Sequence, residues 1–171
     1  MRLSTFILAL LSISTSSALP TNLATFLLVT TTQPAPNANT SELKAVSATS
    51  LFDPFKQPAL ILRLEPPGYN SLPNFTLSSG TLSTNAQGPF GSTRYEYNST
   101  LVTPGAQLQF LASVQPEGNL ALDGGYLLTV GGEREGWTIC EGELGEEVLY
   151  WRGDGEGCVE TFVQAVRGAP Y

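Results

Sequence analysis

Glycine and proline interrupt this chain roughly every 8–15 residues, and the stretches between them alternate apolar with polar residues. Breaks at that spacing leave no room for helices of ordinary length, whereas a two-residue alternation is what a half-buried strand requires. In "ALILRLE" (59–65), Leu60, Leu62 and Leu64 share one face, and Arg63 and Glu65 point the other way. In "RYEYN" (94–98), Tyr95 and Tyr97 oppose Arg94, Glu96 and Asn98, and in "QLQF" (107–110) Leu108 and Phe110 oppose Gln107 and Gln109. The runs 25–30, 126–130, 137–140, 147–151 and 161–166 are further strand candidates. No segment sustains a 3.6-residue period between caps, so the expected fold is all-β, a single compact domain. A β-trefoil-like barrel suits the length and would set the first strand (25–30) near the last (161–166). A two-sheet β-sandwich is the alternative. The polar, proline-containing stretch after the first strand predicts a flexible loop near 31–45.

The N-terminus, "MRLSTFILALLSISTSSALP", places one arginine before an apolar run from Phe6 to Leu11, then small residues with Ser16 and Ala18 at signal-peptidase spacing. That order predicts a secretory signal peptide over 1–18, and a mature domain over 19–171. The run is too short to span a bilayer, and no later stretch is long enough either, so no membrane span is expected. The predicted destination is extracellular or the cell wall.

The formal charge is −7, with eight scattered basic residues. Nucleic acid has no electrostatic footprint here and is not an expected partner. Histidine is absent, so Ser-His-Asp and Cys-His machinery cannot be assembled and the usual catalytic zinc sets lose their commonest ligand. No cofactor, metal or catalytic residue is predicted, and the expected state is a monomer.

Both cysteines and both tryptophans fall in "GWTICEGELGEEVLYWRGDGEGC" (136–158). In a secreted chain two cysteines have one internal pairing, so Cys140 and Cys158 are expected to form a disulfide. The segment reads as a strand ending at Cys140, a hairpin, a second strand, a Gly-rich turn and a last strand beginning at Cys158. The bridge would then tie two strands across one intervening strand. Trp137 and Trp151 fit two roles, cross-strand core neighbours or an aromatic shelf for a sugar ring. Nine of the fifteen acids lie between Glu133 and Glu160. A carboxylate pair can hydrolyse a glycosidic bond and a carboxylate cluster can hold calcium, yet acids in Gly-rich hairpins are ordinarily solvated. Arg152-Gly153-Asp154 is the tripeptide animal integrins recognise, and here it reads as a polar turn. Sequons occur at Asn39, Asn74 and Asn98. Each is a candidate N-glycosylation site in a secreted chain, with Asn39 and Asn98 favoured over Asn74, which lies beside Pro73.

The pattern "GWTIC", then "VLYW", then "GCVETFVQAV", resembles the C-terminal part of small secreted fungal proteins of unknown function. It is similar, more weakly, to fungal cell-wall proteins associated with phialides and conidia. About a third of the mature chain carries the likeness, including the opening "TFLLVT". The resemblance implies Cys140–Cys158 pairing, packing roles for Trp137 and Trp151, and no catalytic residues. The resulting expectation is a non-enzymatic secreted or cell-wall-associated fungal protein, a weak carbohydrate-binding or effector-like surface module with cell-wall polysaccharide or a host surface as partner. A carboxylate-dependent glycan hydrolase is the alternative.

Overall fold

A computed structural model describes residues 24–37, 43–50, 59–66, 68, 71–87, 93–142 and 145–170. The predicted signal peptide, Asn39 and residues 38–42 of the expected loop lie outside the described residues. The described chain is all-β. Its strands are β1 (Leu27–Thr31), β2 (Lys44–Thr49), β3 (Ala59–Glu65), β4 (Phe75–Ser78), β5 (Thr81–Gln87), β6 (Arg94–Ser99), β7 (Ala106–Gln107), β8 (Gln109–Leu111), β9 (Leu120–Asp123), β10 (Leu127–Val130), β11 (Trp137–Glu141), β12 (Glu147–Trp151) and β13 (Val159–Val166).

Six strands close into an antiparallel barrel in the order β1-β2-β3-β12-β11-β13. The first strand meets the last through Leu28↔Ala165. Closure removes the open edges that two separate sheets would carry. The six strands come from the two ends of the chain. The middle of the chain adds the β4-β5-β6-β8 ribbon on β3 and the β9-β10 hairpin on β13. The ribbon curls back to the start of the chain, where Phe26 and Phe75 exchange backbone hydrogen bonds of 3.0 and 2.8 Å.

The barrel is weakest along β3 and β12, which share one register pair, Arg63↔Val148. The strands diverge there, and residues 106–111 fill the wedge: β7 pairs with β12 and β8 with β3. The run 107–110, expected as one strand, is therefore broken at Leu108. Its side chain is buried against the core while the backbone changes partners. The core is continuous across barrel and ribbon, and Leu60, Leu62 and Leu64 all enter it, as their alternation requires. Four strands escaped the sequence reading. β2, β4, β5 and β9 are short or fill inward positions with small and polar residues: Ala48 in β2 and Thr84 in β5 are buried.

Candidate functional site

The segment 136–158 forms one continuous feature. Backbone alternation on β11 turns Trp137 inward and Thr138 and Cys140 outward, and on β12 it turns Leu149 and Trp151 inward and Val148 and Tyr150 outward. Trp137 and Trp151 are register partners. Their rings meet edge to face, with centroids 5.3 Å apart and planes at 72°. Trp137 is fully buried and its Nε1 donates to the Leu128 carbonyl at 3.0 Å, while Trp151 is 3 % exposed. Neither ring offers an open face on which a sugar could stack, which corrects the shelf role for this pair.

Thr138 and Cys140 on the outer face of β11 are buried as well, and the turn 152–158 packs against them and against the half-buried Tyr150 of β12. Cys140 and Cys158 are bonded, with Cα atoms 4.2 Å apart. The geometry differs from the expected one: β13 lies directly beside β11 through Ile139↔Val159, and β12 occupies the opposite edge of β11. The bridge therefore joins neighbouring strands at their ends and spans no intervening strand. Gly153, within this turn, lies so close to β11 and β12 that a Cβ there would fall 2.9 Å from Cys140 Sγ, Thr138 Oγ1 and Tyr150 Cβ. Its amide donates to Thr138 Oγ1 at 3.1 Å. Within the Arg152-Gly153-Asp154 tripeptide, Arg152 adopts φ 53°. Its guanidinium pairs with Glu133 and lies 5.6 Å from the Trp151 ring centroid. Asp154 is exposed.

The described acids between Glu133 and Glu160 do not converge on one point. Glu133 pairs with Arg152, Glu146 with Arg63 and Glu147 with Lys44, while Glu135, Asp154, Glu156 and Glu160 are exposed. Among the described residues, no group of three or more acids or cysteines is arranged to hold a metal ion. One charged cluster does form, at the end of the barrel where β2 begins, β3 ends and β12 begins. Arg63 Nε donates to Glu65 Oε1 at 3.0 Å, and its Nη1 lies 3.5 Å from Glu146 Oε1. Lys44 Nζ donates to both Glu147 carboxylate oxygens at 2.9 Å. The Glu65 side chain is 3 % exposed, and that of Glu146 is 43 %.

This cluster was only partly legible. Arg63 and Glu65 are two apart on one strand face, so their contact follows from the alternation. That Glu65 is buried, and that Arg63 also reaches β12, depends on the barrel seam. No family model, curated protein or solved structure matches the chain. Chemically, the cluster compensates charge. A guanidinium between two carboxylates holds β3 to β12 where one register pair does so alone, and Lys44–Glu147 adds a tie from β2.

The sequons differ in setting. Asn74 is exposed in the extended stretch before β4. Asn98 is half-buried in β6. Its Oδ1 accepts from Ser83 Oγ at 2.6 Å, and its Nδ2 donates to the Ser113 carbonyl at 3.3 Å. Of the two, Asn98 alone has its carboxamide hydrogen-bonded among the described residues.

Proposed function

We propose that the chain is a non-enzymatic secreted protein of the fungal exterior, associated with the cell wall or released from it, and acting as a small surface or effector-like module. One observation supports this most. The groups that ordinarily carry chemistry are committed to holding the fold: the tryptophans fill the core, the cysteines close the turn over β11 and β12, and Lys44, Arg63, Arg134 and Arg152 are each paired with a carboxylate. The signal-peptide pattern and the resemblance to small secreted fungal proteins supply the compartment and the source.

Weak carbohydrate binding is assigned in this reading to the outside of the β4-β5-β6 ribbon. Residues 71–115 contain two charged residues, Arg94 and Glu96, in a chain of net charge −7. On that outer face Thr76, Asn85 and Gln87 are exposed, with Arg94 and Glu96 beside them. A hydroxyl-and-amide surface whose single cation and single anion offset each other suits an uncharged polysaccharide better than an anionic one. The test is a glycan array with sedimentation on insoluble β-glucan and chitin. Weak, salt-insensitive retention that Thr76→Ala and Asn85→Ala reduce is expected. Retention that these changes leave intact and high salt abolishes would refute the assignment to this face.

A carboxylate-dependent glycan hydrolase is the second reading. It is favoured by the convergence of a buried Glu65 and a half-exposed Glu146 on one guanidinium. Release of reducing sugar from the same polysaccharides, lost in Glu65→Gln and Glu146→Gln, would establish it over the first.

A further inference from the structure

We propose that Asn74 is the N-glycan acceptor of the described domain and that Asn98 is not, an inference that rests on the secretory reading above. An acceptor needs its carboxamide nitrogen free and room for a bulky, hydrated sugar. Asn74 meets both conditions. It is exposed in an extended stretch, its side chain makes no hydrogen bond among the described residues, and the Thr76 that completes its sequon is exposed too. The neighbouring Phe75 is fully buried and bonded through its backbone to Phe26, so the acceptor stands on a fixed base while its side chain points to water.

Asn98 fails both conditions. It sits mid-strand between β5 and β8, through Ser83↔Asn98 and Asn98↔Leu111. Its carboxamide is clamped from two sides by Ser83 and the Ser113 carbonyl. The segment carrying Ser113 is itself fastened over β5, where Thr81 Oγ1 donates to the Pro116 carbonyl and the Gly118 amide to the Ser79 carbonyl. At that crossing Gly80 and Gly118 touch so closely that a Cβ on either would lie 2.3 or 2.1 Å from the other's carbonyl oxygen. A sugar on Asn98 would have to displace this strap from those contacts. Thr100, which completes that sequon, is half-buried, and its Oγ1 donates to the Gln109 carbonyl at 3.4 Å.

The co-substrate is an oligosaccharide linked through a diphosphate to a polyisoprenoid lipid. The bond from the sugar's anomeric carbon to the diphosphate oxygen breaks, and a bond to Asn74 Nδ2 forms. One amide proton passes to a base, and the lipid diphosphate leaves.

The test uses two versions of the chain in a yeast secretory host. One carries its own N-terminus, and the other carries the host's leader before Leu19. Export of the first decides the secretory reading. The second enters the pathway regardless and decides the acceptor. Enzymatic deglycosylation in heavy-oxygen water, followed by peptide mass spectrometry, should show labelled aspartate at position 74 and unmodified asparagine at 98. Asn74→Gln and Thr76→Ala should each remove one glycan from the exported protein, while Asn98→Gln removes none. Unmodified Asn74, or labelled aspartate at position 98, would overturn the proposal.

Discussion

Truncating Trp137 tests the central packing claim most directly. The indole is fully buried, meets Trp151 edge to face at 5.3 Å and donates to the Leu128 carbonyl at 3.0 Å. Trp137→Ala removes all three contributions. Loss of a large buried aromatic costs about 3–5 kcal/mol, including the cavity it leaves. The aromatic pair accounts for roughly 0.5–1.5 kcal/mol, and a buried carbonyl stripped of its donor costs about 1–3 kcal/mol. These overlap and do not add, so the expected loss lies near 5 kcal/mol, the upper end of the truncation range. A domain of ordinary stability holds about 5–15 kcal/mol in total, so the variant should fold marginally. With a urea slope of about 2 kcal/mol/M, its midpoint should fall by about 2.5 M, followed by far-UV circular dichroism so that the signal does not depend on the deleted fluorophore. Trp137→Phe, which keeps a ring but not the donor, should lose about 1–3 kcal/mol. A Trp137→Ala midpoint within 0.5 M of the parent, on the order of 1 kcal/mol, would refute the core assignment and return the ring to the surface.

Replacing both Cys140 and Cys158 with serine should leave the fold intact but remove about 3 kcal/mol, given a loop of 18 residues. At about 2–4 °C per kcal/mol for a chain of this size, calorimetry should record a melting temperature lower by about 6–12 °C, and an unchanged value would contradict the role of the bridge. Arg63→Met strands the buried Glu65 carboxylate without its cation and should cost about 3–5 kcal/mol, part of which Glu65→Gln in the same chain should restore. Chemical denaturation of the single and double variants reads this, and a double variant no more stable than Arg63→Met would disprove the compensation. Burial, with a smaller contribution from Tyr95, raises the Tyr97 phenol above its ordinary pKa. The folded chain therefore keeps a proton that the unfolded chain releases near pH 10, about the usual tyrosine value, so this stability is complete below that pH and declines as pH rises through the folded value. Urea midpoints measured across that alkaline range should fall less steeply for Tyr97→Phe than for the parent, and equal slopes would exclude the effect.

The fold class was legible because side chains on a strand alternate with a period of two, a local property. Leu60, Leu62 and Leu64 could face one way only, and they enter the core as that pattern demands. Cys140 and Cys158 were likewise readable as a pair, since a chain with two cysteines offers one internal partner for each. Partner choice was not readable, because strand pairing is decided by distant segments competing for the same edge. That competition places β11 between β12 and β13, so that the Cys140–Cys158 bridge spans no strand, breaks the 107–110 run at Leu108, and makes β3 switch from β12 to β8. Burial of polar groups followed the same rule. Local alternation puts Glu65 and Asn98 on the outward faces of their strands, where water is the default neighbour. Only the tertiary structure covers Glu65 at the barrel seam and lays the Ser113 strap over Asn98, because an outward face stays wet until another part of the chain is folded across it.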